Sequence, residues 1–151
     1  MLRMIGKQER RDGSIEWGKN HVEEHIKNMG LQAREIVQKD GSGLARENLI
    51  TASFMTNFLA KKQTEYGPSV LKLLPQAGKE GTVKRILGGA TLGKFYLKSG
   101  SFSGVQSYSG YMKGKSGKSY SICVMVNNYT CRYLTMRNKL EQLLVKLYQS
   151  H

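Results

Sequence analysis

The sequence predicts an α+β fold, with a helical first half leading into a three-stranded antiparallel meander closed by a C-terminal helix. Three observations carry this expectation. Apolar residues recur at helical spacing from Ile15 to Met29 and again from Met136 to Leu147. Between Lys94 and Asn127, strand-like runs are separated by glycine-containing turns. At 151 residues the chain has the size of one domain, and it contains no run of about 18 apolar residues that would span a membrane.

In chain order, residues 1–6 read as the end of a helix and Lys7 to Gly13 as a charged turn. Ser14 is a good N-cap for a helix to about Met29, with Ile15, Val22, Ile26 and Met29 on its apolar face, Trp17 near its start and Gly30 as its left-handed stop. Residues 34–39 suit a short strand, and Asp40 to Arg46 a tight loop. Thr51 caps a helix to about Thr64 that turns Phe54, Phe58 and Leu59 inward. Pro68 suits the first turn of a short helix ending near Leu74-Pro75. Gln76 to Gly81 reads as a loop, Thr82 to Leu87 as a short helix, and Gly88 to Ala90 as a loop.

Lys94 to Lys98 then reads as a strand, Ser99 to Ser103 as a turn, and Gly104 to Met112 as a second strand. Lys113 to Lys118 makes a hairpin turn into a third strand, Ser119 to Asn127. That strand is apolar on both faces at Ile122, Cys123, Val124, Met125 and Val126, so it needs cover above and below. Arg132 to Tyr148 reads as a helix whose stripe of Met136, Leu140, Leu143, Leu144 and Leu147 should cover one face of the sheet.

The net charge is +13, from 24 Lys+Arg against 11 Asp+Glu. Such an excess attracts anionic partners, but the basic residues are scattered rather than gathered in a dense run, which speaks against nucleic acid. Cys123 and Cys131 lack Cys-x-x-Cys spacing, which argues against a zinc or redox site; a disulfide between them stays open. His21 and His25 stand i, i+4 on the first capped helix. Their order, His-x-Glu-Glu-His, is not that of a metalloprotease, and no third ligand stands nearby, so no metal or cofactor is expected.

Three segments carry the chemistry. They are Asp40-Gly-Ser-Gly-Leu-Ala-Arg46 followed by Asn48, Leu74-Pro-Gln-Ala-Gly78 followed by Gly81-Thr82, and Leu97-Lys-Ser-Gly-Ser-Phe102 followed by Gly104-Val-Gln-Ser-Tyr-Ser-Gly-Tyr111. Each alone is a common turn sequence. Their order and spacing resemble the C-terminal part of the low-molecular-mass class C penicillin-binding proteins, which are serine D-alanyl-D-alanine carboxypeptidases and endopeptidases. Ala45 stands where the family pattern has serine, and Ser99 where it has threonine. Ser99 keeps the hydroxyl; Ala45 loses one that would brace its loop.

The resemblance implies a partial beta-lactamase/transpeptidase-like fold, a single partial domain over residues 1–151, and an extracytoplasmic or periplasmic location, although Met1-Leu-Arg-Met-Ile-Gly is too short and polar for a signal peptide. It also implies roles. Lys98 is the third-motif cation, and Ser99 donates to the substrate's terminal carboxylate. Gly100 lets the strand approach the substrate, and the Ser101 backbone N–H is an oxyanion-hole donor. Peptidoglycan stem peptides and beta-lactams are the implied ligands, with substrate added along the strand edge. An ion pair between Asp40 and Arg46 is expected to close the loop under the site.

Serine acyl transfer also needs Ser-x-x-Lys and Ser-x-Asn. The 151 residues contain no Ser-x-Asn, and their one Ser-x-x-Lys, Ser69-Val-Leu-Lys72, falls between the wrong motifs and reads as helix surface. The chain is therefore expected to be catalytically silent by itself, and, with an unpaired edge on its third strand, either to self-associate or to be marginally stable. The alternative from another class is a non-catalytic basic module that binds cell-wall peptide or another polyanion.

Overall fold

The computed structural model describes residues 1–10 and 13–151. Arg11 and Asp12, part of the expected charged turn, lie outside the described residues. The chain forms two compact units, Met1–Phe54 and Met55–His151.

The first unit opens with two helices, α1 (Leu2–Arg10) and α2 (Ile15–Asn28). α1 runs on through Lys7 to Arg10, where the charges suggested a turn; lysine, glutamine, glutamate and arginine are all good helix formers. The two helices touch backbone to backbone. A Cβ on Gly18 would stand 2.2 Å from the Leu2 carbonyl oxygen, so only glycine permits the crossing. The expected caps of α2 are present: the Ser14 hydroxyl accepts from the Trp17 N–H at 3.1 Å, and Gly30 is left-handed. The inward stripe of α2 is narrow, because Ile26 is buried while Ile15 and Trp17 are each 38% exposed.

A 3₁₀ turn (Ala33–Glu35) leads into β1 (Ile36–Val37), which pairs antiparallel with β2 (Leu49–Ile50). β2 had no signal of its own in the sequence, since two residues show no periodicity. Thr51 then caps α3 (Ala52–Tyr66), its hydroxyl accepting from the Phe54 N–H at 2.9 Å. α3 extends two residues beyond its expected end.

In the second unit, α3 is followed by a 3₁₀ stretch, Gly67–Leu73, with Pro68 in its first turn. The expected helix from Thr82 to Leu87 reduces to a 3₁₀ turn at Gly81–Val83, and the expected loop at Gly88 to Ala90 overlaps another at Gly89–Thr91. Segments this short cannot offset the cost of nucleating an α-helix.

The sheet has the order β3 (Phe95–Phe102), β4 (Val105–Lys113), β5 (Ser119–Val126). β3 runs straight through the residues read as a turn and pairs over its whole length, from Phe95↔Met112 to Phe102↔Val105. Ser99, Gly100 and Ser101 are small and polar, yet pairing with β4 holds them extended; the turn itself is confined to Ser103 and Gly104. α4 (Tyr133–Ser150) lays Leu140 and Leu144 on one face of the sheet, against Phe95, Leu97, Tyr108, Met112 and Ile122. Leu143, counted in the stripe, is instead 50% exposed. The other face carries Tyr111 and Tyr96, packed with Leu59, Val70 and Leu71; the Tyr111 hydroxyl donates to the Leu59 carbonyl at 2.8 Å.

The strand covered on both faces is thus β4, the central one, rather than β5. On β5 only Ile122 is buried, and Cys123, Val124, Met125 and Val126 are half-buried. Cys123 and Cys131 are free thiols, and burial pushes the Cys123 thiol above its ordinary pKa.

Candidate functional site

β3 is the strand that positions the predicted site residues. Alternation puts Phe95, Leu97, Ser99 and Ser101 on the α4 side of the sheet and Lys98 on the other. The same alternation turns the backbone groups of Phe95, Leu97, Ser99 and Ser101 away from β4. At the first two positions they are taken: Ala77 N–H donates to the Phe95 carbonyl at 2.9 Å, and Leu97 N–H to the Pro75 carbonyl at 3.0 Å. Further along, the Lys98 ammonium folds back onto the Ser99 carbonyl at 2.6 Å. The Ser101 N–H faces the open margin.

An open cleft of about 490 Å³ lies against this margin. Ser99, Gly100 and Ser101 line it together with Thr82, Lys84 and Arg85 from the preceding loop. Gln106 and Tyr108 from β4, and Tyr133 and Arg137 from α4, complete the wall. The second and third sequence motifs meet here, since the Thr82 and Ser99 hydroxyls are 2.6 Å apart. Three of the four predicted site residues therefore share the cleft. Lys98 does not line it; its exposed ammonium is held by the neighbouring carbonyl. The cleft lining contains three cations and no carboxylate, which favours an anionic ligand.

This arrangement of β3, its loop and its covering helix is shared with known proteins. The D-Ala-D-Ala carboxypeptidase 3 (S13) family model matches residues 1–147. The chain belongs to that family. Within the carboxypeptidase family it is 33% identical over 136 residues to a D-alanyl-D-alanine carboxypeptidase of Actinomadura sp., covering 85% of this chain and 25% of the relative. It is 24% identical to the D-alanyl-D-alanine carboxypeptidase DacB of Haemophilus influenzae, covering 86% of this chain and 28% of that protein. The chain thus spans about a quarter of the length of the curated relatives it matches. Its fold is similar to that of part of penicillin-binding protein 4 (dacB) from Haemophilus influenzae, with a TM-score of 0.83 at 21% identity over 97% of this chain and 35% of the other. A predatory endopeptidase of Bdellovibrio bacteriovorus shares the fold with a TM-score of 0.68 at 19% identity, over 96% of this chain and 42% of that one.

The first of the three segments singled out in the sequence, Asp40 to Asn48, folds as a self-braced loop in the first unit. The Asp40 carboxylate accepts from the Asn48 amide at 2.9 Å, from the Gly43 and Ala45 N–H groups at 2.8 Å each, and from the Ser42 N–H and hydroxyl at 3.2 Å each. Asn48 in turn accepts from the Lys39 N–H at 2.7 Å. Among the described residues no ion pair joins Asp40 to Arg46, contrary to expectation; backbone N–H groups in a tight loop reach the carboxylate before a long side chain does. They also brace the loop without the hydroxyl that Ala45 lacks.

These bonds, led by that from Asn48, hold the Asp40 carboxyl well below the ordinary carboxylate range. A depressed folded pKa stabilises the loop in full above the unfolded value of about 3.9; below it the stabilisation declines, and it is lost as pH falls through the folded value, down to which the folded carboxylate keeps its charge and its bonds. The amides of Gly43 and Ala45 should therefore stay protected from hydrogen exchange at pH 3. Asp40→Ala should expose them at neutral pH. Equal protection in the variant would show that the carboxylate does not organise the loop.

Arg137, Gln106 and Tyr133 were not singled out from the sequence. The available signal was Arg137 itself, a charge three residues before Leu140 and seven before Leu144, on the helix face that packs inward.

Proposed function

We propose that this chain is the part of a serine-type D-Ala-D-Ala carboxypeptidase that grips the free carboxyl end of a peptidoglycan stem peptide. The observation that carries the reading is the Ser99–Thr82 hydroxyl pair on the margin of β3, inside a cleft lined by cations and no carboxylates. In this reading Ser99 donates to the terminal carboxylate, and Gly100 admits the peptide to the strand edge. The Ser101 N–H faces the scissile carbonyl as an oxyanion donor, and Lys98 raises the positive potential near the site. Beta-lactams would occupy the same groove, and the location would be extracytoplasmic, where peptidoglycan lies. The chain would be one partial domain of the complete catalytic unit.

Ser69 and Lys72 fall on the 3₁₀ stretch, are exposed and do not line the cleft, so they offer no acylation site there. The 151-residue chain by itself should form no covalent adduct with a fluorescent penicillin on a denaturing gel. A stoichiometric labelled band would overturn this.

The same chain should self-associate. Among the described residues β5 pairs only with β4, and its free edge carries Cys123, Val124, Met125 and Val126 in half-buried positions. Sedimentation should give a mass above 17.0 kDa, the mass of one chain. A sharp monomer at micromolar concentration would count against edge pairing.

A further inference from the structure

We infer that Arg137 fixes the free carboxylate of the bound peptide end and so sets the preference for chain termini over internal peptide. This rests on the functional reading above and adds a residue on α4, outside the three sequence motifs. Ser99 and Thr82 offer only neutral hydroxyls, which hold a carboxylate less firmly than a charged donor does. The third-motif cation, Lys98, lies on the opposite face of the sheet with its ammonium engaged at 2.6 Å. Lys84 and Arg85 line the cleft but are exposed, where water screens their charge.

Arg137 differs from both. Its side chain is 27% exposed, and Glu141, itself 23% exposed, holds its Nε at 3.2 Å, close but not aligned for a hydrogen bond. The other Glu141 oxygen accepts from the Leu87 N–H at 3.3 Å, so the carboxylate that orients the guanidinium is anchored to a buried loop. The two Nη groups make no hydrogen bond among the described residues. They form the fork that matches both oxygens of a carboxylate, and arginine keeps its charge at every working pH. A second observation in the same cleft points to a peptide rather than a bare anion. Gln106 is 1% exposed, its amide N–H donates to the Tyr108 hydroxyl at 3.0 Å, and its Oε1 has no partner among the described residues. A buried acceptor of this kind favours a ligand that brings a donor, and a C-terminal residue carries an amide N–H beside its carboxylate.

The test is an NMR titration of the 151-residue chain with N-acetyl-D-Ala-D-Ala and with its C-terminal amide. The acid should bind at least about ten-fold tighter than the amide. Arg137→Gln should bring that ratio close to one by weakening the acid alone, and Arg137→Lys should restore part of it. Were Arg137 only a structural support for α4, acid and amide would weaken together and the ratio would survive, which overturns the inference. Retained acid preference in Arg137→Gln, with loss in Ser99→Ala, also overturns it while leaving the functional reading intact. Failure of the unmodified chain to bind the acid at all overturns the functional reading itself, and this inference with it.

Discussion

Gly110→Ala should destabilise the second unit by about 3–5 kcal/mol, a large share of the roughly 5–15 kcal/mol that holds a domain folded. Gly110 lies in the middle of β4, opposite Leu97 on one side and Ile122 on the other. Its φ of 151° lies in a region that glycine visits without strain and other residues do not. A Cβ there would stand 2.0 Å from the Tyr96 carbonyl oxygen and 3.0 Å from Leu74 Cδ1. The nearest obstacle is backbone, so no side-chain rotation relieves it; β3 must move off β4 and take Ser99 away from Thr82. Urea unfolding should show a much lower midpoint, whereas Ser109→Ala, the adjacent change, should cost less than about 1 kcal/mol. A Gly110→Ala variant as stable as the parent would mean that the strands do not approach this closely.

Leu144→Ala should cost about 2–5 kcal/mol and lower the Tm on the order of 10 °C. Leu144 is completely buried between α4 and the sheet, beside Leu140. Its removal leaves a void that close-packed neighbours fill only in part. Because α4 also carries Tyr133 and Arg137, the variant should weaken ligand binding in the cleft even at temperatures where it remains folded. Leu143→Ala, at a half-exposed position, should change stability by less than about 1 kcal/mol. Thermal melts of the pair test the phase of the helix directly. Equal losses would mean that α4 is rotated from the orientation described.

Helices bounded by local chemistry were readable in the sequence. Ser14, Gly30 and Thr51 act through bonds to residues three or four positions away, and their caps stand where composition placed them. β3 shows the opposite case. Ser99 to Ser103 has the composition of a turn, and what keeps Ser99 to Phe102 extended is the ladder to residues 105–108, which no window on β3 alone can reveal. β2 is hidden for the same reason. At the site, Thr82 and Ser99 to Ser101 belong to segments that the sequence singled out and the cleft brings together, whereas the side of the strand to which Lys98 turns is legible only from the pairing of β3. Arg137 escaped notice because hydrophobic patterning treats a charge in an apolar stripe as surface, and its anchor, Glu141, reaches a loop 54 residues away. The expected Asp40–Arg46 pair failed because charge complementarity in sequence ignores the nearer backbone donors.

The outer margin of β3 is mostly spoken for. Phe95 and Leu97 are tied to residues 75–77, and the Ser99 oxygen is covered by an ammonium group. What is left is the Ser99 N–H and the two main-chain groups of Ser101, a berth about two residues long. A polypeptide seeking a long cross-strand zipper finds no room there, while the last residues of a chain do. The same shortness guards this side against fibril-like stacking, so it can stay polar and uncovered beside the cleft, and the hazard passes to β5.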